Sequence, residues 1–115
     1  MKNNNALFDD MYRRYINNNW IPDEEIPNDR EKKVIKENFY LLLPLIFNEL
    51  TDRQRDVMTL YYGHNQTQEQ IARTLKINQS NVSVHLNQAV RTVDKQFTMI
   101  YKCSIWSLRY EKGVN

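Results

Sequence analysis

Leu50 to Val93, LTDRQRDVMTLYYGHNQTQEQIARTLKINQSNVSVHLNQAVRTV, is the stretch in which helix starts, helix stops and apolar spacing agree with one another. Thr51 with Gln54, and Thr67 with Gln70, have the spacing of capping boxes, in which each side chain satisfies an otherwise unpaired backbone N–H of the other residue. Helices are therefore predicted to begin at about Asp52 and Gln68. Gly63 follows the apolar run Val57, Met58, Leu60 and Tyr61, where a helix end commonly needs a residue that tolerates left-handed backbone. Leu75 to Asn78 reads as a short turn, with Asn78 placed to cap a third helix. Val82, Leu86, Ala89, Val90 and Val93 keep helical spacing on that helix. Two helices separated by so short a turn match the helix-turn-helix motif.

Working outward, the chain of 115 residues is 41% hydrophobic and 26% charged, enough for one domain with a core. Two Gly, three Pro and few β-branched runs leave little to favour strands, so the fold class is all-α. The expected architecture is a three-helix helix-turn-helix domain with N-terminal helices and an extended C-terminal helix. The single Cys103 cannot form an internal disulfide and reads as a small packed residue. No secretory pattern and no long apolar run occur, which points to a cytoplasmic protein with no membrane association.

N-terminal to the central stretch, Leu7, Phe8, Met11, Tyr12, Tyr15 and Ile16 recur at helical intervals, predicting an amphipathic helix of about ten residues. Residues 17–28, with Pro22 and Pro27, read as an extended acidic linker. Asn28 and Glu31 repeat the capping-box spacing, and an apolar stripe then runs from Val34 to Leu50. Pro44 interrupts it, predicting a kink or break near Tyr40 to Leu43. C-terminal to Val93, Phe97, Ile100, Tyr101, Ile105 and Leu108 extend the third helix to about Tyr110. A helix that long exceeds what a small domain buries alone, so its excess folds back on the N-terminal helices or forms an oligomer contact. The organisation is thus 1–49 N-terminal helical segment, 50–95 helix-turn-helix and 96–115 C-terminal extension.

Charge is uneven. Residues 1–50 carry seven Lys/Arg against nine Asp/Glu, whereas residues 51–115 carry nine against five, so the basic half holds the helix-turn-helix. Once Val82, Leu86, Ala89 and Val90 are assigned to the core, Gln79, Ser80, Ser83, Val84 and Asn87 remain as the exposed face of the third helix. Gln and Asn can pair bidentately with adenine, Ser donates or accepts, and Val84 suits a thymine methyl, so an A·T-leaning duplex site is expected. Phosphate contacts are assigned to the start of the Gln68 helix and to Arg53, Arg55, Arg73, Lys76 and Arg91. The apolar residues Leu42, Leu43, Ile46, Phe47, Phe97, Ile100, Tyr101, Ile105 and Leu108 are candidates for partner or oligomer contact. His85 reads as a partly buried structural residue and His64 as a loop residue. No metal, cofactor or catalytic constellation is expected, since no nucleophile comes with a placed base and no ligand spacing occurs.

The segments ELTDRQRDVMTLYYG, TQEQIARTL and INQSNVSVHLNQAV together resemble the region 4 helix-turn-helix of bacterial RNA polymerase sigma factors. Response-regulator output domains of the LuxR type share Leu-Thr-x-Arg and Val-x-Val-His, but TQEQIA and Tyr62-Gly63 favour the sigma-like reading. The resemblance implies that the helix from about Gln79 enters the major groove. It also implies a bacterial or phage transcription regulator that binds double-stranded DNA, acts with RNA polymerase or as a homo-oligomer, and is not an enzyme. Two features depart from the family: Lys76 stands where Gly is usual in the turn, and neither Gln79 nor Ser83 is basic. The first fifty residues are too short for a strand-opening domain. The alternative reading is a phage assembly or packaging component, small terminase-like or virion-associated, that uses the helix-turn-helix for protein contacts.

Overall fold

The computed structural model describes residues 4–18 and 26–110, and most of the expected linker lies outside them. Five helices follow in order among the described residues, with no strand: α1 (Asn4–Asn18), α2 (Asp29–Glu49), α3 (Asp52–Met58), α4 (Gln68–Leu75) and α5 (Gln79–Arg109). The predicted all-α class is observed.

All three predicted capping boxes close. Asn28 Oδ1 accepts from the Glu31 amide at 2.8 Å, while Glu31 Oε1 accepts from the Asn28 amide at 3.0 Å. Thr51 and Thr67 do the same with Gln54 and Gln70. These local bonds need no tertiary partner, which is why short-range pattern located three helix starts within a residue.

Four local expectations are corrected. α1 has fifteen residues, longer than the predicted ten. α2 runs through Pro44 without a break. A mid-helix Pro costs about 3 kcal/mol, whereas Phe39, Leu43 and Ile46 on the same helix are buried at about 1.5–3 kcal/mol each, and the Pro44 ring faces solvent. Gly63 has no positive φ; the left-handed positions are Asn65 and Lys76. Asn78 occupies the N-cap of α5, but its side chain makes no capping bond; its carbonyl accepts from the amides of Asn81 and Val82 instead.

α3 passes into a π-helical turn, Thr59–Gly63, that carries the chain beneath α1. A Cβ at Gly63 would lie 3.7 Å from Leu7 Cβ, an ordinary van der Waals contact, so this buried position beneath α1 has room for a methyl group. The Leu60 carbonyl then accepts from the Gln66 amide at 3.0 Å, turning the chain toward α4.

One continuous core runs through all five helices. The rings of Phe39 and Phe97 stack at 4.3 Å between α2 and α5, and Tyr15 of α1 meets both edge-on. The Tyr15 hydroxyl bonds Thr98 Oγ1 at 2.7 Å. Arg14 of α1 forms a two-pronged ion pair with Asp94 of α5. Burial disfavours the Arg14 cation, but the hydrogen bond and charge of Asp94 more than offset this, and its pKa is raised. The far end of α5 thus folds back on α1 and α2, as one branch of the sequence reading anticipated, and α5 crosses residues 95 and 96 without interruption.

The apolar residues assigned to a partner surface divide in this packing. Leu43, Ile46, Phe97, Tyr101 and Ile105 are buried among the chain's own helices, and Leu42, Phe47, Ile100 and Leu108 are half-buried. Helical apolar periodicity reports that a face is covered and does not say by which molecule. Cys103, read as packed, is exposed.

Candidate nucleic-acid interface

α4 and α5 are joined by three residues, Lys76 to Asn78. Lys76 has φ 58° and ψ 47°, and its amide bonds the Ala72 carbonyl, closing the C-terminus of α4 in the left-handed conformation. Any residue with a Cβ pays roughly 1–2 kcal/mol there. The Ile77 amide also bonds the Ala72 carbonyl, at 3.0 Å, which fixes the angle at which α5 departs.

Val82, Leu86 and Ala89 anchor the start of α5 in the core. Helical geometry then turns Gln79, Ser80, Val84 and Asn87 to solvent, with Ser83 half-exposed. All five predicted base-reading residues lie along that side. Arg91, one turn beyond Asn87, is exposed on the same face. His85 is half-buried, as predicted, and its Nδ1 is buried without a hydrogen-bond partner.

The predicted phosphate residues divide. Arg53 is half-exposed, and Lys76 and Arg91 are exposed. Arg73 pairs with Glu69 at 3.1 Å, which offsets its charge locally. Arg55 is directed elsewhere: it pairs with Asp52 and donates to the Leu50 carbonyl at 3.0 Å, closing the end of α2, and so drops out of the phosphate set. At the start of α4 the capping box satisfies the Gln70 amide and the Thr67 carbonyl takes that of Ile71. The amides of Gln68 and Glu69 are left at the open helix end, where the dipole favours an anion.

Sequence reasoning missed Asp10. This α1 carboxylate lines a cleft of about 440 Å³ together with Tyr62, Asn65, Thr67 and Gln68, beside the α4 N-terminus. It lies 2.9 Å from Arg13, which moderates its charge. No local signal joins residue 10 to residue 68; only the seating of α1 on the π turn does so. Among the described residues no group of side chains is arranged to hold a metal ion, and no helix is long and apolar enough to cross a membrane.

Residues 46–95 match the family model for sigma-70, region 4. This stretch is similar to a sigma-70 region 4 helix-turn-helix. The matched stretch runs from the last turn of α2 through the middle of α5, so the second helix of the helix-turn-helix is the first half of a helix whose second half packs against α1 and α2. Sigma-70 region 4 is a DNA-binding family, which accords with the open face from Gln79 to Arg91. Neither a curated protein nor a solved structure matches the chain.

Proposed function

We infer that the protein is a transcription regulator that reads double-stranded DNA with the N-terminal turns of α5 and acts alongside RNA polymerase. The observation that carries the DNA reading is the solvent-facing row Gln79, Ser80, Ser83, Val84 and Asn87, held in place by buried Val82, Leu86 and Ala89. The region 4 match supports RNA polymerase as the partner. Backbone amides at Gln68 with Arg53, Arg73, Lys76 and Arg91 set the register on the phosphates, and the α5 side chains discriminate bases. The protein positions and recruits; it carries out no covalent chemistry.

The test is selection of bound duplexes from a random pool, followed by the same selection with Gln79→Ala/Ser83→Ala. Both side chains reach solvent, so the variant keeps its helical circular dichroism. Loss of two base contacts is expected to weaken the selected duplex roughly 10- to 100-fold relative to random DNA. Unchanged preference in the variant would sink the site assignment. A wild-type protein that enriches no duplex would remove the DNA reading and leave the protein-contact alternative.

A further inference from the structure

The cleft of about 440 Å³ at the start of α4 has an acidic wall supplied by α1. Among the described residues that line it, Asp10 is the one carboxylate, and no Lys or Arg stands with it. Asp10 also lies outside residues 46–95, so the acid is an addition to the stretch that resembles region 4. Its place is fixed by its neighbours on α1. Asp9 accepts the hydroxyl of Tyr40, Met11 is fully buried, and Arg14, one turn on, pairs with Asp94. These tethers oppose any roll of α1 that would carry Asp10 out of the cleft. Its own partner Arg13 is 66% exposed and does not line the cleft. An exposed pair of this kind is weak, so the wall keeps its negative character.

We propose that Asp10 is a brake on DNA binding: its carboxylate repels the backbone phosphate that seats at the Gln68 and Glu69 amides. The proposal rests on the DNA reading of α4 and α5 given above. Carboxylate and phosphate compete for the same positive helix end. A cleft of this volume is on the order of 10 Å across, about one Debye length at 0.1 M salt, so the repulsion acts at low salt and fades as salt rises. A phosphate contact carries no sequence information, so the brake weakens every duplex by the same factor and leaves the ranking of base sequences untouched. Sequence-independent retention, which phosphate contacts dominate, is thereby held down. The chain then stays on DNA where base contacts or a second protein add to the phosphate set.

The test is fluorescence anisotropy of the full chain on a mixed-sequence duplex and on an A·T-rich duplex, at about 50 and about 200 mM salt. Asp10→Asn is expected to bind both duplexes about 2- to 15-fold more tightly at low salt, the repulsion of unit charges on the order of 10 Å apart. The gain should shrink at the higher salt. Asp10 bonds Arg13 of its own helix, so the substitution leaves the tethers of α1 in place. Asp10→Ser removes the same charge and must show the same gain, which covers a failure of the first variant to fold. Asp10→Glu keeps the charge and should bind as wild type. Glu37→Gln removes one charge from exposed α2, where the adjacent Asn38 bonds Ser104, about 25 Å beyond Asn87 along α5. It is expected to change affinity less than about 2-fold. Equal gains from Asp10→Asn and Glu37→Gln, a gain confined to one duplex, or no gain over a wild type that binds would each overturn the brake and leave the DNA reading standing. If no protein of the set binds either duplex, the DNA reading falls and the brake with it.

Discussion

Glu31 and Arg109 join the first turn of α2 to the last turn of α5: Arg109 Nε lies 2.9 Å from Glu31 Oε2, and Nη2 lies 3.0 Å from Oε1. The same carboxylate closes the α2 capping box through the Asn28 amide. One buried acid therefore holds both a helix start and the end of the bundle, across 78 residues of sequence.

That arrangement makes stability depend on acid. Hydrogen bonding from Arg109, followed by that from the Asn28 backbone, lowers the Glu31 pKa from 4.5 to about 2. A carboxylate with a depressed folded-state pKa contributes stability that is fully present above its unfolded pKa and is lost as pH falls through the folded value. Urea denaturation is thus expected to show a contribution that declines between about pH 4.5 and about 2. Glu31→Gln should be less stable than wild type at pH 7, and the gap should narrow toward pH 2. A gap that is the same at both pH values would exclude Glu31 as the titrating group.

Replacing Lys76 separates backbone strain from charge. Gly accepts φ 58° without the Cβ penalty, so Lys76→Gly is expected to raise stability by about 1 kcal/mol. The same change removes an exposed cation beside the proposed reading helix and should weaken DNA retention at low salt. Thermal melting and retention on heparin or duplex DNA give the two readings; a drop in melting temperature would contradict the strain argument.

Gly63→Ala tests whether that glycine serves conformation or contact. Its φ is not positive, and an added methyl would meet its nearest neighbour at 3.7 Å, ordinary van der Waals contact. Removing a helical Gly usually gains roughly 0.5–1 kcal/mol, so the variant should be at least as stable as wild type by chemical denaturation. A loss above about 1 kcal/mol would mean that the π turn needs glycine for a reason absent from the static packing.

Salt should report how few phosphates each copy neutralises. With Arg55 withdrawn, Arg53, Arg73, Lys76 and Arg91 remain, and four contacts predict a slope of log affinity against log salt of about −3.6 per copy. Fluorescence anisotropy on a duplex across a salt series measures it. A slope near −6 or steeper from a monomer would show that further cations, such as Lys95 or Lys102, touch the backbone.

The helix-turn-helix was legible in the sequence because its determinants are local. Thr51 with Gln54, Thr67 with Gln70, and the spacing of Val82, Leu86 and Ala89 act over three to seven residues, and a capping bond or an apolar stripe needs no distant partner to be specified. The exposed row from Gln79 to Asn87, proposed to read bases, follows by subtraction from that stripe. Tertiary structure decided the rest, because those outcomes turn on contacts between residues far apart in the chain. Pro44 stays helical because Phe39, Leu43 and Ile46 are buried on either side of it. Arg55 turns to the end of α2, and Asp10 arrives beside Gln68 when Leu7 packs on Gly63. The apolar residues of α2 and α5 show the same division: periodicity marked the stripe through Phe97 and Tyr101 as a covered face, and only the fold shows that the chain covers it itself and leaves Met99, Trp106 and Tyr110 in solvent.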